Sequence, residues 1–205
     1  MLLDAADSQL ILIDYQTRLM PAIHDGAAVL ANALRLAQVA RMVQVPVWAT
    51  EQNPAKLGGN APELAALADR TVSKMAFGGG AELAPLLRPP VKAAPPGPPR
   101  GNARSLPRHL QKPAAPPEPE RGTLVVAGCE THVCLMQTAL MLLEDEWDVW
   151  IVTDACGSRT ERNRDAAYDR LAAAGAELVT TEMVGFEWLR TAEHPRFRDW
   201  QALIK

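Results

Sequence analysis

Residues 123–127, Thr-Leu-Val-Val-Ala, are apolar after the first position and show no alternation of polar with apolar side chains. A strand of that kind offers water no face, so other elements must cover it on both sides. Five more short runs are expected as strands: 9–13, 45–49, 71–73, 148–153 and 176–180. Pro46 falls at the first residues of its run, where a missing donor is tolerated. Helical periodicity fills the gaps. Residues 27–44 place Val29, Leu30, Ala33, Leu34, Leu36, Ala37, Ala40, Met42 and Val43 at helical spacing. Helices are also expected over 132–143 and 160–174, the latter stopped by Gly175, and around 183–190 and 197–204. Strands alternating with helices predict an α/β fold, a three-layer α/β/α sandwich around a mostly parallel six-stranded sheet. A chain of 205 residues buries roughly 70% of its unfolded surface and needs no disulfide or metal to fold.

Composition narrows the function classes. The net charge is −3, whereas nucleic-acid binders usually carry a basic excess, so no nucleic-acid partner is expected. The longest apolar runs fall well short of the ~20 residues that span a bilayer, so no membrane partner is expected either. Met1-Leu2-Leu3-Asp4 lacks a basic region ahead of its apolar residues, which argues against a secretory leader. Cys129, Cys134 and Cys156 are odd in number and form no C-x-x-C. They suit a reducing, cytoplasmic setting better than a disulfide framework.

One stretch departs from the rest. Eleven of the 17 prolines lie between Pro89 and Pro119. Residues 88–121 carry a net charge of +5, leaving −8 for the remainder. Proline at this density denies both helix and central strand. The expectation is an extended insertion, about 88–120, between two structured parts. The spacings Pro95 to Pro98 and Pro96 to Pro99 fit a ligand for an aromatic groove; a solvated connecting loop is the simpler reading.

Ligands of open parallel sheets bind outside the carboxyl ends of the strands. That rule selects Asp14, Thr50, Glu51, Lys74, the turn 128–134 and Asp154. A thiol in the first turn of a helix sees the positive end of the helix dipole, which predicts a lowered pKa for Cys134. Backbone N–H groups of the same turn are free to receive an oxyanion. Asp14 can accept the thiol proton, and Lys74 can stabilise the thiolate and hold the carboxylate. Each residue also has a plain reading. A free cysteine is most often a small buried hydrophobe, Asp154 suits a turn or cap, and His24, His109 and His194 have no partner nearby in sequence.

Several segments together resemble one family. They are Ile11-Leu-Ile-Asp-Tyr-Gln-Thr-Arg-Leu-Met-Pro21, Val45-Pro-Val-Trp-Ala-Thr-Glu-Gln52, Ser73-Lys74, Val126-Ala-Gly-Cys-Glu-Thr-His-Val-Cys134, Val152-Thr-Asp-Ala155 and Val179-Thr-Thr-Glu-Met-Val184. In these the chain resembles the isochorismatase-like hydrolases, of the cysteine hydrolase superfamily with nicotinamidases and N-carbamoylsarcosine amidases. The resemblance covers nearly everything except residues 88–120, and it implies a single domain over 1–205 with that stretch as an insertion. It implies a catalytic triad of Asp14, Lys74 and Cys134, and a cis peptide between Cys129 and Glu130. The oxyanion hole would then be the backbone N–H groups of Glu130 and Cys134. Tyr15, Gln16, Met75, Phe77 and His132 neighbour these positions and are the expected pocket residues. Nicotinamidases hold a metal through an Asp and several His near the second strand. Residues 50–60 contain no histidine, so no metal and no other cofactor is expected.

The leading expectation is a cysteine hydrolase acting on a small amide or related carbonyl compound through a thioester. A small-molecule substrate and a homo-oligomer go with it. Three other readings stay open. Vinyl-ether hydrolysis of an isochorismate-like substrate needs a proton donor and no thiol. An oligomeric scaffold needs no chemistry, since fold does not fix function. A thiol-redox role needs a second cysteine, and Cys129 shares the turn with Cys134.

Overall fold

The computed structural model describes residues 1–88 and 121–205. All but the first residue of the insertion expected at 88–120 therefore lies outside the described residues. Six strands form one sheet: β1 Ser8–Ile13, β2 Val47–Gln52, β3 Arg70–Lys74, β4 Thr123–Gly128, β5 Asp148–Val152 and β6 Glu177–Val179. The order is β3-β2-β1-β4-β5-β6. Every neighbouring pair is parallel, which sharpens the mostly parallel sheet expected from sequence.

Helices α1 Gly26–Met42, α2 Pro54–Leu57, α3 Pro62–Ala65 and α4 Gly80–Leu87 precede β4; α5 Met136–Glu144, α6 Glu161–Ala173, α7 Thr181–Leu189 and α8 Phe197–Ile204 follow it. α1 packs with α7 and α8, and α5 packs with α4 and α6. These two groups are the outer layers. Both central strands, β1 and β4, are buried at every residue, as strands covered on two faces must be.

The chain winds outward from β1 in one direction through β2 and β3, and in the other from β4 through β5 and β6. The sense of winding reverses between β1 and β4, and that is where an open sheet leaves a crevice at its carboxyl edge. The two strands approach closely there. A Cβ on Gly128 would stand 2.4 Å from the Ile13 carbonyl oxygen, so only glycine fits. The backbone turns at once after β1. Asp14 has φ 54°, a left-handed conformation that aspartate tolerates better than most residues.

Sequence boundaries hold to within a few residues at every strand. Two differences matter for the site. β2 runs on to Gln52, so Thr50 belongs to the strand. The helix expected from residue 132 is preceded by a wider π-helical turn, Thr131–Leu135, before α5 begins. Such widened turns are frequent at functional sites.

Candidate active site

Three strand ends converge. Asp14 follows β1, Lys74 ends β3, and Cys134 lies in the turn after β4. The Asp14 and Lys74 side chains are fully buried, and the Lys74 Nζ donates to Asp14 Oδ2 at 2.7 Å. The second carboxylate oxygen, Oδ1, accepts from the Thr50 hydroxyl at 2.7 Å. Thr50 pairs with Ile13 across β1 and β2, which puts its hydroxyl beside the next residue, Asp14. The lysine is held as firmly as the acid. Its ammonium also donates to the carbonyl oxygens of Phe77 at 2.8 Å and Ala76 at 3.3 Å. A buried charge needs partners of this kind to be tolerated at all.

Cys134 is buried, 7% exposed, and free. Its thiol is pushed up to about 12, first by burial and then by the Asp14 charge; Lys74 opposes this, and Asp14 as hydrogen-bond acceptor adds to it. The lowered pKa expected from the helix start is therefore corrected. A helix terminus is worth less than about 2 kcal/mol, and here desolvation and a neighbouring carboxylate outweigh it. The Cys134 side chain therefore rests as a neutral thiol beside an acceptor. No Cys134–Asp14 hydrogen bond of standard geometry forms among the described residues, so this contact is looser than the Asp14–Lys74 bond, as is common before substrate binds.

The turn itself carries donors. The Cys129–Glu130 peptide is cis. Val133 and Leu135 N–H both bond to the Glu130 carbonyl, at 3.0 and 3.3 Å, and Thr131 N–H bonds to the Gly157 carbonyl at 2.8 Å. The Glu130 N–H meets no acceptor among the described residues. Thr138 fastens the start of α5 to the Lys74 loop: its hydroxyl donates to the Cys134 carbonyl at 2.7 Å and accepts from Gly79 N at 2.9 Å.

The five residues expected to line the pocket divide. Tyr15 is fully buried and its hydroxyl donates to the Ala155 carbonyl; burial raises its pKa well above the ordinary value. It is a core residue, and its expected place in the pocket is corrected. Gln16 is also fully buried. Its amide bonds to the Gln52 N–H and to the carbonyls of Gln52 and Gly58, so it ties loops together and has no group left for a ligand. Met75 and Phe77 are 71% and 54% exposed on the loop that wraps the Lys74 ammonium. His132 is half-buried, with Nδ1 3.0 Å from the Ser158 hydroxyl. Asp154 takes its plain reading: it accepts from the N–H and hydroxyl of Thr181 at the start of α7.

Sequence reasoning placed Thr50 at a strand end without a role. It missed Thr138, Ser158 and Arg159. Parallel register beside Ile13 is the signal that finds Thr50; nothing local marks the other three. A cavity of about 360 Å³ lies beside the loop after β1, lined by Thr17, Met20, Pro21, Leu30, Pro62 and Glu63 among others, and holds none of Asp14, Lys74 and Cys134. Chemistry, not volume, therefore locates the site. Among the described residues no three His, Cys, Asp or Glu side chains are grouped to hold a metal. No described helix is long and apolar enough to cross a membrane.

Known proteins share this plan. The isochorismatase domain model matches residues 114–183. Mouse isochorismatase domain-containing protein 2A is 34% identical over 198 residues, covering 97% of this chain and 82% of its own. Zebrafish isochorismatase domain-containing protein 1 is 33% identical over 203 residues, 99% of this chain and 62% of its own. Among solved structures, MAR1 ribonuclease from Caenorhabditis elegans superposes with a TM-score of 0.80 at 24% identity, covering 100% of this chain and 92% of that one. The ycaC gene product of Escherichia coli, described as an octameric hydrolase of unknown specificity, gives 0.72 at 24% identity, covering 99% and 94%. With its fold shared across that group and a third of its residues identical to curated members along almost its whole length, the chain belongs to the isochorismatase-like hydrolase family.

Proposed function

We propose that the protein is a cysteine-dependent hydrolase of a small amide or related carbonyl compound, working through a thioester. The observation that carries this reading is the fully buried Asp14 carboxylate, fixed by Lys74 and Thr50 and set beside the Cys134 thiol. Asp14 takes the Cys134 proton as the sulfur attacks the carbonyl carbon. Lys74 holds the carboxylate and offsets the charge on sulfur as it develops. A thiol with a pKa near 12 is a poor nucleophile alone, so attack and proton transfer go together. The N–H groups of Glu130 and Cys134 receive the oxyanion. The C–N bond then breaks, the amine or ammonia leaves with the proton from Asp14, and an acyl-Cys134 thioester remains. Water attacks the thioester, Asp14 takes its proton, and the acid is released.

YcaC from Pseudomonas aeruginosa, similar in fold at a TM-score of 0.75, was solved with covalent acrylamide. Acrylamide is an alkylating electrophile through its conjugated alkene, and a nucleophilic thiol at Cys134 is expected to add to that alkene, which reports thiol reactivity and not amide cleavage. The homo-oligomer is part of the proposal, in keeping with the octameric neighbour. A panel of small amides, esters and vinyl ethers, followed by ammonia release and product formation, tests the reading against Cys134→Ala. Hydrolysis that disappears in the variant supports it. Hydrolysis that survives, or turnover confined to vinyl ethers, overturns it.

A further inference from the structure

We propose that Glu130 and Arg159 form a clamp that positions the oxyanion-binding turn; this rests on the thioester reading above. Glu130 gives that turn its free N–H, and its side chain reaches away to Arg159. One carboxylate oxygen, Oε1, accepts from Arg159 Nε at 2.9 Å and from the Arg159 backbone N–H at 3.2 Å. The Glu130 side chain is 12% exposed and the Arg159 side chain 60% exposed, so the acid is inside and the base outside.

The partner segment is itself fixed. Gly157 N–H bonds to the Gly128 carbonyl at 3.2 Å, and the Gly157 carbonyl accepts from Thr131 N–H at 2.8 Å. The Ser158 hydroxyl meets His132 Nδ1 at 3.0 Å, and its carbonyl accepts from His24 N–H at 2.9 Å. Residues 157–159 thus grip the turn at four places, residues 128, 130, 131 and 132. Only the grip on residue 130 is made through an ion pair.

Electrostatics argues against an acid in this place. The Glu130 charge pushes the Cys134 thiol up, and it lies on the wrong side of the ledger for a developing oxyanion. What the side chain contributes is therefore geometric, with Arg159 neutralising the cost. An N–H helps an oxyanion only when aimed at it to within a few tenths of an ångström, and the residue bearing this N–H is anchored through its own carboxylate. Glu130 and Arg159 are positioning side chains; neither needs to touch the substrate.

Two reagents separate positioning from general integrity. p-Nitrophenyl acetate acylates the thiol: sulfur bonds to the carbonyl carbon, an oxyanion forms, and p-nitrophenolate leaves. Iodoacetamide alkylates the same sulfur by displacing iodide, with no oxyanion. Both rates are measured at Cys134 of the full chain; the thiol proton passes to Asp14 in acylation and is lost to solvent in alkylation, where the free thiolate attacks. Removing an oxyanion donor costs about 10²–10³ in rate, so misaiming one is expected to cost about tenfold or more. Arg159→Ala and Glu130→Gln are each expected to slow acylation by that factor while alkylation changes less than about twofold, with Arg159→Lys between Arg159→Ala and the parent. Equal loss in both reactions, or no loss in either, overturns the clamp alone. A parent protein alkylated at Cys134 but not acylated overturns the thioester reading and the clamp with it.

Discussion

Among the three thiols, access and not acidity sets the order of reactivity. Burial raises all three: Cys134 and Cys156 to about 12, and Cys129 well above the ordinary thiol value. Cys134 is 7% exposed, against 2% for Cys156 and 0% for Cys129. Iodoacetamide is therefore expected to label Cys134 first at every pH. A raised pKa also fixes the slope. Below pH 12 the thiolate fraction is small and rises about tenfold per pH unit, so the labelling rate should climb without a plateau between pH 7 and 10. A plateau near pH 8 would mean a thiolate stabilised far more than this geometry allows. Lys74 is no surface residue whose loss costs about 1 kcal/mol or less; its ammonium is the partner of a fully buried carboxylate. Lys74→Met leaves the buried Asp14 carboxyl without its cation, at a cost of about 3–5 kcal/mol in urea unfolding. The double variant Asp14→Asn, Lys74→Met should fall short of the sum of the single losses by about 1 kcal/mol or more. Strict additivity would mean that the pair does not interact.

At the scale of elements, the strands were legible because a buried parallel strand writes itself as an unbroken apolar run, as β4 does. β3 was the weakest in sequence, and its residues are mostly exposed or half-buried at the sheet edge until Lys74. The motif after β4 was legible as a turn, and its resemblance to a family gave the residues. The partners of that turn were not legible. Arg159 lies 29 positions from Glu130, and the parallel pairing of β5 beside β4 brings the two strand-end loops together. Tyr15 and Gln16 misled for a related reason: adjacency to Asp14 along the chain says nothing of which way a side chain turns once φ is reversed at Asp14. Helix α7 offers a test of packing against propensity. Gly185 sits in its interior, where a Cβ would stand 2.2 Å from Cζ2 of the fully buried Trp200 on α8. Alanine gains about 1 kcal/mol in helix propensity, but overpacking costs about 1–3 kcal/mol. Gly185→Ala should therefore destabilise the protein to urea; a gain would show that Trp200 yields freely.

For the whole molecule, the two ends of the stretch beyond the described residues are brought together at the edge of the sheet remote from the site. One amide nitrogen, Nε2 of the buried Gln9, donates to both Leu87 O at 3.3 Å and Arg121 O at 3.1 Å. Arg88 lies 4.1 Å from the Trp147 ring centroid, and Arg121 Nη1 donates to the carbonyls of Ala5 and Ser8. Gln9 is near the amino end of β1, roughly 16 Å of strand from Asp14. Replacing residues 91–118 by a short Gly/Ser linker should keep both a cooperative melt near the parent's and the hydrolysis. Loop closure favours the change slightly, at about 0.6 kcal/mol per halving of length. A collapsed melt would mean that the stretch packs on the sheet, and lost turnover with an intact melt would mean that it reaches the site.

The thioester is a covalent species that can be weighed. Intact-protein mass spectrometry, on enzyme quenched with acid during turnover of a hydrolysed amide, reads it directly. The expected result is a mass gain equal to the acyl group, mapped by digestion to the peptide carrying Cys134 and absent from Cys134→Ala. Full turnover by Cys134→Ala, or an acyl group carried at any other residue, would contradict the account.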